Sequence, residues 1–169
     1  MKGLQMSGRT YGHIDGVQVG AVFPDRISLS QAGVHRATQG GITGGADGAE
    51  SIVLNAGYVD DVDRGDVVLY TGHGGRDPNT GRQISDQVLE RGNLGLAVCH
   101  DQGLPVRVSR GSCVEAPYGT EQGYRYDGLY QVEDYWHEIG LDGFRVYRFR
   151  LVAIQDDPSP REMDVLVST

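Results

Sequence analysis

A chain of 169 residues is long enough for one hydrophobic core and too short for two comfortable ones. Glycine makes up about 15% against a usual value of about 7%, which reads as many turns and favours a β-rich fold over a helical bundle. The net charge of −8 argues against wholesale nonspecific nucleic-acid binding. Of the 15 basic residues the only lysine is Lys2, which excludes a Walker A loop, a Schiff-base enzyme and nucleases that need a lysine inside the fold.

Residues 1–12 read as an N-terminal tail with little to bury. Strands are expected at Val17–Phe23, at Ser51–Tyr58 with Ile52, Leu54 and Ala56 on one side, and at Asp66–Thr71, which is β-branched and aromatic. A short helix near Ser28–Ala32 should stop at Gly33. A second over Ser85–Arg91 starts with a capping serine and should end at Gly92. Further strands are expected at Leu94–Cys99, Pro105–Ser109, Gly128–Trp136 and Phe144–Ile154, the last two forming an antiparallel hairpin through Gly140 and Gly143. Ser159-Pro160-Arg161-Glu162 has the caps of a final helical turn. These elements place one domain over residues 13–154, followed by a C-terminal extension or linker at 155–169. No apolar run has the length of a signal peptide or a membrane span, so a soluble cytoplasmic setting without a membrane partner is the expectation.

Chemistry concentrates in Asn55–Asp77, NAGYVDDVDRGDVVLYTGHGGRD. The Asp61-Val62-Asp63-Arg64-Gly65 run looks like the start of a calcium loop. The register fails, because Gly65 and Gly72 fall where the fifth and twelfth ligands belong. Two cysteines without a C-x-x-C pair provide neither a disulfide framework nor a zinc site, and the histidines lack ligand spacing. No cofactor or metal is implied. Two tyrosines and an aspartate suggest something else. Opposed aromatic faces can sandwich a planar base, a contact of about 1–3 kcal/mol. A carboxylate at the base edge accepts from the amino group that cytosine carries where thymine has a carbonyl. Tyr58, Asp61, Tyr70 and the Thr71 hydroxyl therefore make a cytosine pocket for a base that has left the duplex.

This segment, with GVHRATQGGITG at Gly33–Gly44 and YRYDGLYQVEDYW at Tyr124–Trp136, resembles the SRA domain, the SET-and-RING-associated or YDG domain, over about residues 12–154. The resemblance implies an α+β, mostly β architecture, a PUA-like twisted β-barrel or saddle with two or three short helices. It implies a non-enzymatic module that binds double-stranded DNA and flips out a modified cytosine, 5-methylcytosine or 5-hydroxymethylcytosine. By motif position Tyr58 and Tyr70 stack on the base, Asp61 reads its edge, Thr71 lines the wall, and Ala56 and Gly57 bring the backbone close. The loop with Gln39, Gly40, Gly41 and Thr43 corresponds to the one that enters the minor groove. Gln39 stands where some relatives have a valine plug. A second inserting loop lies between Asp77 and Asp86 and contributes Arg82. His35, Arg36 and Arg76 are further backbone-contact positions, although a histidine after a short helix has a structural reading and Arg76 an ion-pair one. Bacterial relatives often join this domain to an HNH nuclease in modification-dependent restriction, so such a nuclease in cis is an expected partner. A base-excising enzyme, or a binder of free modified nucleosides, would use the same pocket.

Overall fold

The computed structural model describes residues 4–6, 8–56, 58, 60–115 and 117–155. Gly57, the final helical turn and nearly all of the 155–169 extension lie outside these residues. Ten strands and two helices run in the order β1 (Leu4–Met6), β2 (Arg9–Tyr11), β3 (Val22–Phe23), α1 (Arg26–Gln31), β4 (Ile42–Gly45), β5 (Gly48–Leu54), β6 (Val62–Asp63), β7 (Val67–Thr71), α2 (Arg91–Gln102), β8 (Val106–Gly111), β9 (Tyr124–Ile139) and β10 (Arg145–Ala153). The fold is α+β and mostly β, as the resemblance implies.

The main sheet is ordered β4-β5-β8-β9-β10-β7-β6, with β3 added on β9. Backbone pairing leaves β4 and β6 as edges, so it is an open, curled sheet. The β9–β10 hairpin is the longest pairing, running from Arg145↔Ile139 to Ala153↔Tyr130 with a bulge at Arg150/Leu151. Among the described residues only the β5–β8 pair is parallel, which requires the crossover that α2 supplies. Every residue of β5 is buried, so the alternation read from Ser51–Tyr58 carries no solvent face. The core gathers Ile52, Leu54, Tyr70, Leu96, Val106, Val108, Phe149 and Leu151.

Three expectations are corrected. Leu94–Cys99 is not a strand but the middle of α2, and of the helix expected over Ser85–Arg91 only Arg91 is helical, residues 85–90 being an irregular segment leading to it. A short apolar run does not distinguish the two states by itself. The helical stripe is Gly92, Gly95, Leu96 and Cys99, all buried. Gly95 lets the helix lie directly on the sheet: a Cβ there would stand 2.8 Å from the Gly48 carbonyl oxygen and 2.9 Å from that of Gly45. The segment before α2 is tied to the sheet by Gln87, whose side chain donates to Gly72 O at 2.5 Å and accepts from Tyr147 N at 2.8 Å. Of Val17–Phe23, only Val22–Phe23 pairs as a strand.

The N-terminal segment also packs. Tyr11 is 1% exposed within the core, and Arg9 reaches Asp47 at 3.0 Å and Glu50 at 3.1 Å. Packing therefore starts ahead of residue 13.

Candidate nucleic-acid interface

The site forms where the β5–β6 connection meets the end of β7. In β7 the Thr71 side chain is wholly buried, and its backbone N–H points away from β10 and donates to Asp61 Oδ1 at 2.7 Å. Burial is the main influence on the Asp61 carboxyl and pushes its pKa up to about 6; the Thr71 hydrogen bond and the Arg148 charge pull the other way. Tyr70 is 4% exposed, and its hydroxyl donates to the Gly41 carbonyl at 3.1 Å. The Tyr58 hydroxyl accepts from Gly74 N at 3.2 Å, and the Arg76 guanidinium lies 5.1 Å from the centre of its ring. Tyr58, Asp61 and Tyr70 are close enough to shift one another's titration. The Thr71 Oγ1 is buried with no hydrogen-bond partner among the described residues. Ala56 is exposed with φ 58°, a left-handed conformation uncommon outside glycine, so the chain turns sharply just before Tyr58. Four predicted pocket positions therefore converge. Gly57 lies outside the described residues.

The loop after α1 is held as a rigid finger. Arg26, at the first position of α1, donates to the carbonyls of Gln39 at 3.2 Å, Ala37 at 2.8 Å and Gly40 at 2.6 Å. Gly41 packs against Tyr70, since a Cβ there would meet the tyrosine oxygen at 2.6 Å. Gln39 and Gly40 remain exposed at the tip. Sequence reasoning missed Arg26, because nothing local signals a guanidinium that reaches residues 11 to 14 positions onward.

His35 and Thr43, both counted as DNA contacts, are corrected. His35 is 0% exposed; its Nε2 faces the Gly40 carbonyl at 2.9 Å and its Nδ1 the Ser51 hydroxyl at 2.7 Å. A carbonyl only accepts, so Nε2 carries the proton. Burial depresses the ring to about 4 and keeps it neutral. Thr43 is 8% exposed and accepts from Ala37 N at 3.1 Å. Neither can reach a phosphate; both brace the finger.

Arg36 is half-exposed and spends its Nη2 on buried Glu50 at 2.6 Å and the Gly8 carbonyl at 3.3 Å, its other guanidinium nitrogens making no hydrogen bond among the described residues. Arg82 is largely exposed on the second loop and approaches Asp142 at 3.4 Å. That loop is closed by Asp77 N to Arg82 O at 2.8 Å and Arg76 Nε to Gly81 O at 3.0 Å. Arg36, Arg76 and Arg82 thus present positive charge on an acidic molecule, with Gln39 projecting from the finger.

Two tyrosines and a half-buried carboxyl thus stand beside two loops braced by hydrogen bonds, and the comparisons identify the class of the domain. The SAD/SRA domain model matches residues 10–157, and the chain belongs to that family. It is 43% identical over 155 residues to the Arabidopsis thaliana histone-lysine N-methyltransferase family member SUVH2, covering 87% of this chain and 24% of that protein. The chain thus spans about a quarter of the length of that relative. Among solved structures, the modification-dependent TagI restriction endonuclease superposes with a TM-score of 0.85 at 51% identity, covering 88% of this chain and 53% of that one. The SUVH5 SRA domain bound to fully hydroxymethylated CG DNA superposes with a TM-score of 0.74 at 41% identity, over 88% and 97%. No helix among the described residues is long and apolar enough to cross a membrane.

Proposed function

We propose that this chain is a DNA-binding reader that holds a flipped-out 5-methylcytosine or 5-hydroxymethylcytosine between Tyr58 and Tyr70, with Asp61 accepting from the amino group at the base edge. The observation that carries the reading is the Asp61 carboxyl, aimed by the Thr71 N–H and set beside two tyrosines in a domain of this family. Likeness to a modification-dependent endonuclease supports a role as the specificity module of a restriction system; a cytoplasmic setting and an HNH-type nuclease in cis belong to the same proposal. In this reading the domain itself binds and does no chemistry. Gln39, Gly40 and Gly41 form the inserting finger. Arg36, Arg76 and Arg82 meet phosphates, and Ala56 lies at the pocket mouth.

The test is competition binding at one salt concentration with identical duplexes carrying cytosine, 5-methylcytosine or 5-hydroxymethylcytosine. A buried methyl group contributes about 0.8 kcal/mol by transfer and about 1–3 with shape complementarity. The methylated duplex should therefore win by roughly tenfold, within a range of a few to about 200. The hydroxymethylated duplex should also be accepted, because the unpartnered Thr71 hydroxyl leaves the site polar and an apolar wall rejects an added hydroxyl only weakly. No preference for either modified duplex would overturn the reading in favour of a binder of DNA shape.

Salt dependence gives a separate check. With few free arginines on a chain of charge −8, binding should release few counterions. The log–log slope against salt should lie near −3 to −4, the equivalent of about three to five phosphates. A slope steeper than about −8 would require a basic face far larger than these three residues form.

A further inference from the structure

The Tyr126-Asp127-Gly128 motif of β9 lies apart from the base pocket, yet it is tied to it through one side chain. Arg110 on β8 is 3% exposed. Its guanidinium forks onto Asp63, with Nε to Oδ2 at 2.7 Å and Nη2 to Oδ1 at 2.8 Å, and Nη2 also donates to the Gly65 carbonyl at 2.8 Å. The remaining amine, Nη1, donates to Asp127 Oδ2 at 2.8 Å. Arg125 holds the other Asp127 oxygen at 2.5 Å. Tyr130, three residues beyond Asp127, donates its hydroxyl to the same Gly65 carbonyl at 2.7 Å.

These contacts bridge two parts of the sheet that share no backbone hydrogen bonds. β6 is an edge strand of two residues, separated from β9 by β7 and β10 and from β8 by β9 as well. Curling of the sheet brings the β6 turn beneath β8 and β9, and the arginine fork fastens it there. Two residues before Asp63 stands Asp61. A two-residue edge strand holds a loop only weakly by its own pairing, so the placement of Asp61 rests on the grip on Asp63 and Gly65 as well as on its own bond from the Thr71 N–H.

We propose that Asp127 of the Tyr-Asp-Gly motif and Arg110 are positioning residues for base recognition, clamping the Asp63–Gly65 turn so that Asp61 meets the base edge. This inference rests on the reading of Asp61 as the base-edge acceptor. Asp127 orients the guanidinium by taking the amine that Asp63 does not use, and the planar fork fixes the turn in both distance and angle. A lysine would keep the charge and lose the geometry.

The test measures binding of the 169-residue chain to identical duplexes with cytosine or 5-methylcytosine, together with thermal unfolding, for wild type, Arg110→Lys, Asp127→Asn and Asp61→Asn. A misplacement near 1 Å at a recognition group is costly, so Arg110→Lys should reduce the methylcytosine preference about tenfold, and Asp127→Asn by a smaller factor. Affinity for the unmodified duplex should hold within about threefold, because neither residue faces the phosphate-contacting loops. Should Arg110→Lys fail to fold, Tyr130→Phe removes the hydroxyl that donates to Gly65 and accepts from both Arg110 amines at 3.4 Å, and it carries the same expectation on a reduced scale. Equal loss on both duplexes would assign the clamp to folding alone and overturn the inference. A retained preference in Arg110→Lys and Asp127→Asn, with loss in Asp61→Asn, would overturn the clamp and leave the base reading standing. Absence of any preference in wild type would remove the reading itself.

Discussion

Replacing Arg107 by methionine should cost about 3–5 kcal/mol of folding stability, the range for breaking a buried charged network, out of roughly 5–15 for a whole domain. Arg107 is 0% exposed on β8 and spends its guanidinium on four backbone carbonyls: Val34 at 2.9 Å, Thr10 at 2.7 Å, Gly12 at 2.9 Å and Gly33 at 3.2 Å. It therefore joins the N-terminal strand and the end of α1 to the central sheet. Its nearest anion is Glu50, also fully buried, at 3.9 Å. Methionine fills the volume but leaves four acceptors without donors, and a buried polar group left unpaired costs about 1–3 kcal/mol. Glu50 would keep Arg9, Arg36 and the Thr10 N–H, so the loss falls mainly on the carbonyls. Denaturant unfolding of the two proteins measures the difference. A change below about 1 kcal/mol would mean that water replaces the guanidinium at these carbonyls.

The elements that the sequence makes legible are those whose signal is local. β7 and β10 carry β-branched and aromatic residues, and the Gly140–Gly143 connection marks the hairpin. α2 was less legible because its buried stripe is built from Gly92, Gly95 and Cys99, small residues that add little to an apolar pattern. Their purpose is close approach to β4 and β5, which only the packed structure displays. That Tyr58, Asp61 and Tyr70 lie near one another was legible through spacing: they stand on consecutive segments and need only a turn between them. His35 illustrates the opposite case. Its motif resembles a contact loop, but its burial depends on Ser51 and on a carbonyl five residues away. The same holds for Arg110, whose partner Asp63 lies 47 positions earlier and becomes a neighbour only when the sheet curls. Tyr11 packs for a similar reason: its hydroxyl donates to the Asp47 carbonyl at 2.7 Å, a partner that no local pattern can announce.

Asp61→Asn should weaken binding to the methylated duplex by about 1–3 kcal/mol, roughly 5- to 150-fold, and should barely change binding to the unmodified one. The pH profile makes this prediction specific. In the free protein, burial raises the carboxyl to about 6, so near neutrality it is ionised and poorly solvated. A cytosine amino group donating to the carboxylate favours the charged form and lowers its pKa in the complex. Binding then expels a proton below about pH 6, and by linkage the affinity should fall up to tenfold per pH unit as pH drops through that value, staying level above it. His35, depressed to about 4, stays neutral across most of this window. Stability has the opposite sign. The folded pKa of about 6 lies above the unfolded value near 3.9, so the free protein loses stability as pH rises through this interval. Asparagine removes that cost, so Asp61→Asn should be more stable than wild type at pH 7 while reading the base less well, and its affinity should be flat with pH. Titrating both proteins with the methylated duplex from pH 5 to 8 checks the pair of signs. Affinity that grows on acidification would instead make the protonated carboxyl a donor to the base, and equal weakening on both duplexes would return Asp61 to a purely structural role.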